Sequence, residues 1–215
     1  MSQDLETARE SAQENAREDL AFIRNLVESD DAPNGSLGPI LLFAGALYGL
    51  QTLVQWAQMT GVIELSGPVY VSFLAGVTIT FLFALGIVLW RDRNTGPKTV
   101  VGRAYEAAFQ AAGLANLCIV IVIGLASWRT QSADPWLIYA PVVFALQGGA
   151  WFVAARLRKQ LWLAAVAIGW FVSAIAMGMT EDLGTYILIA SISLFGLMAL
   201  PGWVMMKIDH QAGQG

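Results

Sequence analysis

The sequence predicts an all-α membrane protein, with six transmembrane helices, both ends of the chain cytoplasmic, and one cytoplasmic amphipathic acidic helix ahead of the first span. Three observations carry this. Apolar residues make up 56% of the 215 and charged residues only 13%, a balance that belongs to the membrane class. The charges gather in the amino-terminal segment and in short clusters, which leaves six nearly charge-free runs of about 20 residues, the length that crosses a hydrocarbon core about 30 Å thick. Those runs lack the alternation of a barrel strand, so helix is the spanning structure that satisfies their backbone groups internally.

The first element is the segment 1–38. It holds nine acids (Asp4, Glu6, Glu10, Glu14, Glu18, Asp19, Glu28, Asp30, Asp31) against three arginines, a local charge of −6 in a chain of net −4. Ala, Glu, Gln, Arg and Leu favour helix, and the stretch from Ser29 through Pro33 and Gly35 stops it, so a helix is expected over about residues 3 to 28. Leu5, Ala8, Ala12, Ala16, Leu20, Ile23 and Val27 recur at spacings of three and four and form one apolar stripe, bulky at its membrane end. Glu6, Glu10, Glu14 and Glu18 line up at four-residue spacing, which costs a few tenths of a kcal/mol per pair and is only partly offset by nearby arginines. Such a ridge is either a solvated face or a docking surface for basic groups, on a partner protein or on this chain's own 91–103 and 156–159 loops, which carry +3 each. An anionic membrane surface would repel it. The segment also lacks the basic start and apolar core of a secretory signal, so no cleavage is expected.

The spans follow at 39–58, 69–90, 104–128, 136–157, 161–179 and 183–206, forming a bundle over 39–207 that a cytoplasmic tail, 208–215, completes. The first carries a polar stripe, Tyr48, Gln51, Thr52 and Gln55. The third opens with Glu106, the only acid inside a span, three residues after Arg103. It either pairs with that arginine on the same helix face or opens a polar track through Gln110 and Gly113, with Asn116 to one side. In the fourth, Pro141 lies close enough to the helix start to be tolerated, whereas Pro201 should bend the sixth. Gln147, Ser173, Ser191 and Ser193 suit interhelical hydrogen bonds, worth under about 1 kcal/mol each, and the pairs Gly45 with Gly49, Ala145 with Gly149, Ala165 with Gly169 and Ala174 with Gly178 suit close packing. These small-residue pairs are compatible with a homo-oligomer without identifying one.

Lys and Arg set the orientation. Eleven of the twelve fall on the side of the termini, and only Arg129 falls on the other. Both ends are therefore expected in the cytoplasm of a bacterial inner membrane protein. Trp56, Trp128 and Trp136 then sit at outer helix ends, Trp90, Trp162 and Trp203 at inner ends, with Trp151 near Arg156, while Trp170 lies mid-span in a packing role.

Enzyme chemistry finds little to use. The single histidine, His210, rules out an HExxH zinc site, a membrane Ser and His pair, and bis-histidine haem ligation. The spans hold no pair of acids for general acid and base work, and no phosphate-binding GxxxxGK[ST] loop occurs. The lone Cys118 supports neither an intrachain disulfide nor a thiolate cluster. No catalytic residue, metal, cofactor or nucleic-acid contact is expected.

One internal similarity stands out. Residues 39–51 (PILLFAGALYGLQ) align with 135–147 (PWLIYAPVVFALQ), identical at Pro, Leu, Ala, Leu and Gln, in spans that run in opposite directions, as an inverted three-plus-three repeat requires. The next spans do not align at the same offset of 96.

The DLAFIRNLVE run at 19–28, the RAYEAAFQAAG opening of the third span and the ALPGWVMMK close of the sixth together resemble uncharacterised bacterial six-span integral membrane proteins with a cytoplasmic acidic helix. The resemblance covers most of the chain and implies the architecture; it implies no substrate, cofactor or catalytic residue. The sequence therefore leads to a non-enzymatic regulatory or accessory subunit, contacting a partner with basic surface through Glu6, Glu10, Glu14, Glu18, Leu20, Phe22, Ile23, Leu26 and Val27. The rival expectation is a small-solute or ion channel or transporter, using a track of Tyr48, Gln51, Gln55, Glu106, Gln110 and Asn116.

Overall fold

A computed structural model describes residues 17, 20, 37–92 and 100–212. The expected amino-terminal contact residues lie outside these, except for Leu20, which is helical and 66% exposed, as Arg17 is helical and exposed.

Among the described residues the chain is helical throughout, with no strand. Its elements are α1 (Leu37–Met59), α2 (Gly67–Asp92), α3 (Val100–Thr130), α4 (Trp136–Arg158) and α5 (Leu161–Met179), then a sixth span in three pieces: α6 (Leu183–Leu194), a π-helical stretch Phe195–Ala199, and α7 (Leu200–Ala212). Six helices are long and apolar enough to cross a membrane. The last one does not stop at the expected tail but continues to Ala212. The α4 to α5 connection is very short, and Lys159 makes it by taking the left-handed conformation (φ 52°) as the C-cap of α4, a place where helices commonly end this way.

The helices pair in the order α2, α1, sixth span, α5, α4, α3. One core joins Leu37 and Leu41 of α1, Phe144, Trp151 and Ala154 of α4, Leu163, Ala167, Trp170 and Met177 of α5, and Ala190 and Met205 of the sixth span. The flanking helices contribute little: only 6% of the apolar window is buried in each of α2 and α3, against 22% to 33% in the others. Each holds on through one neighbour, α2 on α1 and α3 on α4, and the two do not pack along one another.

Close backbone approach joins α1 to the sixth span. A Cβ added at Gly45 would stand 2.3 Å from the Ala199 nitrogen, and one at Gly202 would stand 2.5 Å from the Leu42 nitrogen. Only glycine fits at this crossing. The expected four-residue pairs are used unevenly, since Gly45, Gly49 and Gly169 meet neighbours, whereas Gly149 and Gly178 face open space.

The π-helical stretch has a local cause. Pro201 has no N–H to return to the carbonyl four residues earlier, that of Leu197. The Trp170 indole donates to that carbonyl at 3.1 Å instead. Trp170 thereby does the packing work expected of it, set edge-on to Phe144 at 4.7 Å between ring centroids. Trp151 departs from its expected place in an interfacial belt: it is fully buried, edge-on to Phe109 and Trp162. Trp90 and Trp128 do project outward, at 70% and 71% exposure.

Candidate functional site

Most polar side chains in the spans are used between or within helices. The Ser191 hydroxyl donates to the Gly49 carbonyl of α1 at 3.1 Å, and the Ser173 and Ser193 hydroxyls of α5 and α6 meet at 2.8 Å. Thr52 donates to its own helix, at 3.0 Å from the Tyr48 and Gly49 carbonyls. The Tyr186 hydroxyl donates to the Leu137 carbonyl at 2.7 Å and so ties α6 to α4. Helix contacts of this kind are the common use of polar groups inside a membrane.

A second group of polar side chains lies on α1 to α4. The Tyr48 side chain of α1 lies within electrostatic reach of Thr78 of α2 and of Tyr139 of α4. The Thr78 hydroxyl donates to the Leu74 carbonyl of its own helix at 3.2 Å. The Tyr139 hydroxyl donates to Asn116 Oδ1 of α3 at 3.0 Å. Tyr48 also sets its ring edge-on to Phe81, and Tyr139 packs against Trp136. Tyr48, Thr78 and Asn116 each fall near the middle of their helices.

The expected polar track is therefore divided. Asn116 is bonded to Tyr139, with Tyr48 within electrostatic reach of that tyrosine, whereas Gln110 is exposed and Glu106 is half-buried one turn earlier. Gln51 and Gln55 are half-buried on α1. Thr78 and Tyr139 were not among the expected site residues. A lone threonine and an aromatic near a helix end carry no periodic signal, and only the pairing of α1 with α2 and of α3 with α4 brings them to one place.

Among the described residues, the buried Gln51 Oε1, Gln58 Oε1, Gln147 Oε1 and Trp151 Nε1 of the spans make no hydrogen bond. Gln51 and Gln147 are the equivalent last positions of the aligned segments 39–51 and 135–147. Each leaves an acceptor without a donor near the middle of its helix.

At one end of the bundle a recess of about 440 Å³ is lined by Trp56, Met59 and Thr60 of α1 and by Asp182, Thr185 and Leu188 around the start of α6. The Asp182 carboxylate accepts from the Thr185 amide at 2.6 Å and caps α6. The Thr185 side chain and then its amide hold the Asp182 pKa below the usual carboxylate range, as expected of a charged N-cap. Among the described residues no three His, Cys, Asp or Glu side chains group closely enough to hold a metal ion. Cys118 is exposed on α3. No family model matches this chain, and no curated protein or solved structure matches it either.

Proposed function

We propose that this chain is a multi-pass protein of the bacterial cytoplasmic membrane, with both termini cytoplasmic, serving as a non-enzymatic regulatory or accessory subunit. One observation carries the reading: nine acids against three arginines in residues 1–38, spaced along a helix-forming segment with a bulky apolar stripe at its membrane end. A charged ridge beside an apolar stripe suits contact with a basic protein surface. The membrane part suits an anchor, because large side chains such as Trp151, Trp170, Leu163 and Met177 fill its core and many of its polar groups are bonded helix to helix. The test is chemical crosslinking in native membranes, comparing the full chain with a variant lacking residues 1 to 30. A partner captured by the full chain and lost from the shortened one is expected. An identical set of partners from both would end this reading.

A second reading, a small-solute channel or transporter, is favoured by the helix order. Exchanging the halves of the chain maps the α1 to α2 contact onto α4 to α5, and the α1 to sixth-span contact onto α4 to α3. The contact of α5 with the sixth span has no counterpart between α2 and α3. The equivalent Gln51 and Gln147, whose acceptors make no hydrogen bond near the middle of their helices, would on this reading face the solute. On this reading purified protein in liposomes passes a small neutral solute faster than empty liposomes. Gln51→Leu and Gln147→Leu each slow that flux severalfold, and no flux over a broad solute panel would remove the reading.

A further inference from the structure

The recess between the end of α1 and the start of α6 joins a carboxylate to an aromatic and apolar wall. Its volume of about 440 Å³ falls in the range of small-molecule sites. Trp56 and Met59 of α1 line one side, and Leu183 and Leu188 of α6 line the other. Asp182 is the only acid among the lining residues. Its carboxylate lies over the first turn of α6, with Oδ2 accepting from the Thr185 amide at 2.6 Å. The Thr60 hydroxyl at the rim donates to the Trp56 carbonyl of its own helix at 2.9 Å.

The surrounding charge has one sign. The α1 to α2, α3 to α4 and α5 to α6 connections fall at the same end of the bundle, because successive spans alternate in direction. Residues 60–66, 129–135 and 180–182 hold Glu64, Asp134, Glu181 and Asp182 against Arg129 alone, a local charge of −3. Such a field draws cations and repels anions.

The kind of cation follows from the lining. A metal ion such as calcium takes six to eight oxygens, whereas among the described residues no three acidic, His or Cys side chains group to hold one. A primary ammonium carries three N–H donors that need acceptors, and the apolar walls supply none while Asp182 Oδ2 is already engaged. A quaternary ammonium has no N–H to satisfy. It is held by the net charge of a carboxylate and by the face of an aromatic ring, tryptophan being the strongest, and its methyl groups bury well against Met59 and Leu188.

We propose that the recess binds a trimethylammonium group of the choline type, attracted by Asp182 and packed against Trp56 and its apolar neighbours. The group is carried by a lipid headgroup at the membrane surface or by a free solute. The site goes beyond both readings above, since neither partner contact nor flux is needed to detect it.

The experiment measures binding of tritiated choline to the full chain in an uncharged maltoside detergent by scintillation proximity. Saturable binding is expected, displaced by unlabelled choline and by tetramethylammonium. The uncharged carbon isostere, in which a tert-butyl group replaces the trimethylammonium, should not displace it. Asp182→Asn keeps a good helix cap but removes the charge, so affinity should fall about fivefold, as for an exposed charge pair, with the melting temperature unchanged. Trp56→Leu should weaken binding by about fivefold through loss of the cation–π contact. Displacement by phosphatidylcholine but not by phosphatidylglycerol would support the site with a lipid headgroup as its source; displacement by neither lipid would support it with a free solute. Absence of saturable choline binding would overturn the proposal. Equal displacement by the uncharged isostere would do so as well, as would unchanged affinity in Asp182→Asn protein that melts normally.

Discussion

Gly45→Ala is expected to lower stability by about 3 kcal/mol, the upper part of the usual range for overpacking a tight contact. The added carbon would meet backbone on every side: the Ala199 nitrogen at 2.3 Å, and the Ala199 Cα and Leu194 carbonyl oxygen at 2.8 Å each. No side chain can rotate away, so α1 and the sixth span must separate. Their separation weakens neighbouring contacts, including the Ser191 bond to the Gly49 carbonyl. For a chain of this size such a loss corresponds to a melting temperature lower by roughly 10 °C, read by thermal unfolding of the purified protein in detergent. Gly113→Ala is the control, because a Cβ there meets nothing within 4 Å. Equal melting of both variants would show that the crossing is looser than its geometry.

The spans were legible because the bilayer imposes one demand on every residue in them. A run such as Leu161–Met179 must be long, apolar and helical whatever it packs against. Which helices meet is not written in that pattern, because lipid and protein neighbours are equally apolar and leave the same sequence on both faces. Gly45 and Gly49 stood out through their four-residue spacing, but Gly202, which meets α1 just as closely, has no such companion. Trp151 looked interfacial from its distance to Arg156 and is instead the centre of an aromatic cluster. Half of the polar cluster was visible as Tyr48 and Asn116. Thr78 and Tyr139 join it only through the three-dimensional pairing of helices far apart in sequence.

Trp170 and Pro201 are expected to be energetically coupled through a carbonyl that neither owns. Pro201 leaves the Leu197 oxygen without its α-helical donor, and the Trp170 indole supplies one across the α5 interface. Trp170→Phe keeps an aromatic ring against Phe144 but strands that oxygen, at a cost of about 1 to 3 kcal/mol. Trp170→Ala removes the ring as well and should cost about 3 to 5 kcal/mol, since the side chain is almost fully buried. Pro201→Ala restores an N–H at the position that can serve Leu197 from within its own helix. In that background the indole becomes redundant, and the cost of Trp170→Phe should fall by about 1 kcal/mol or more, a coupling within the range found for groups that share a partner. The measurement is a double-mutant cycle by denaturant or thermal unfolding in detergent. If Trp170→Phe costs the same in both backgrounds, the Leu197 carbonyl is not what links the two residues, and the π-helical stretch at Phe195–Ala199 needs a cause other than the proline that follows it.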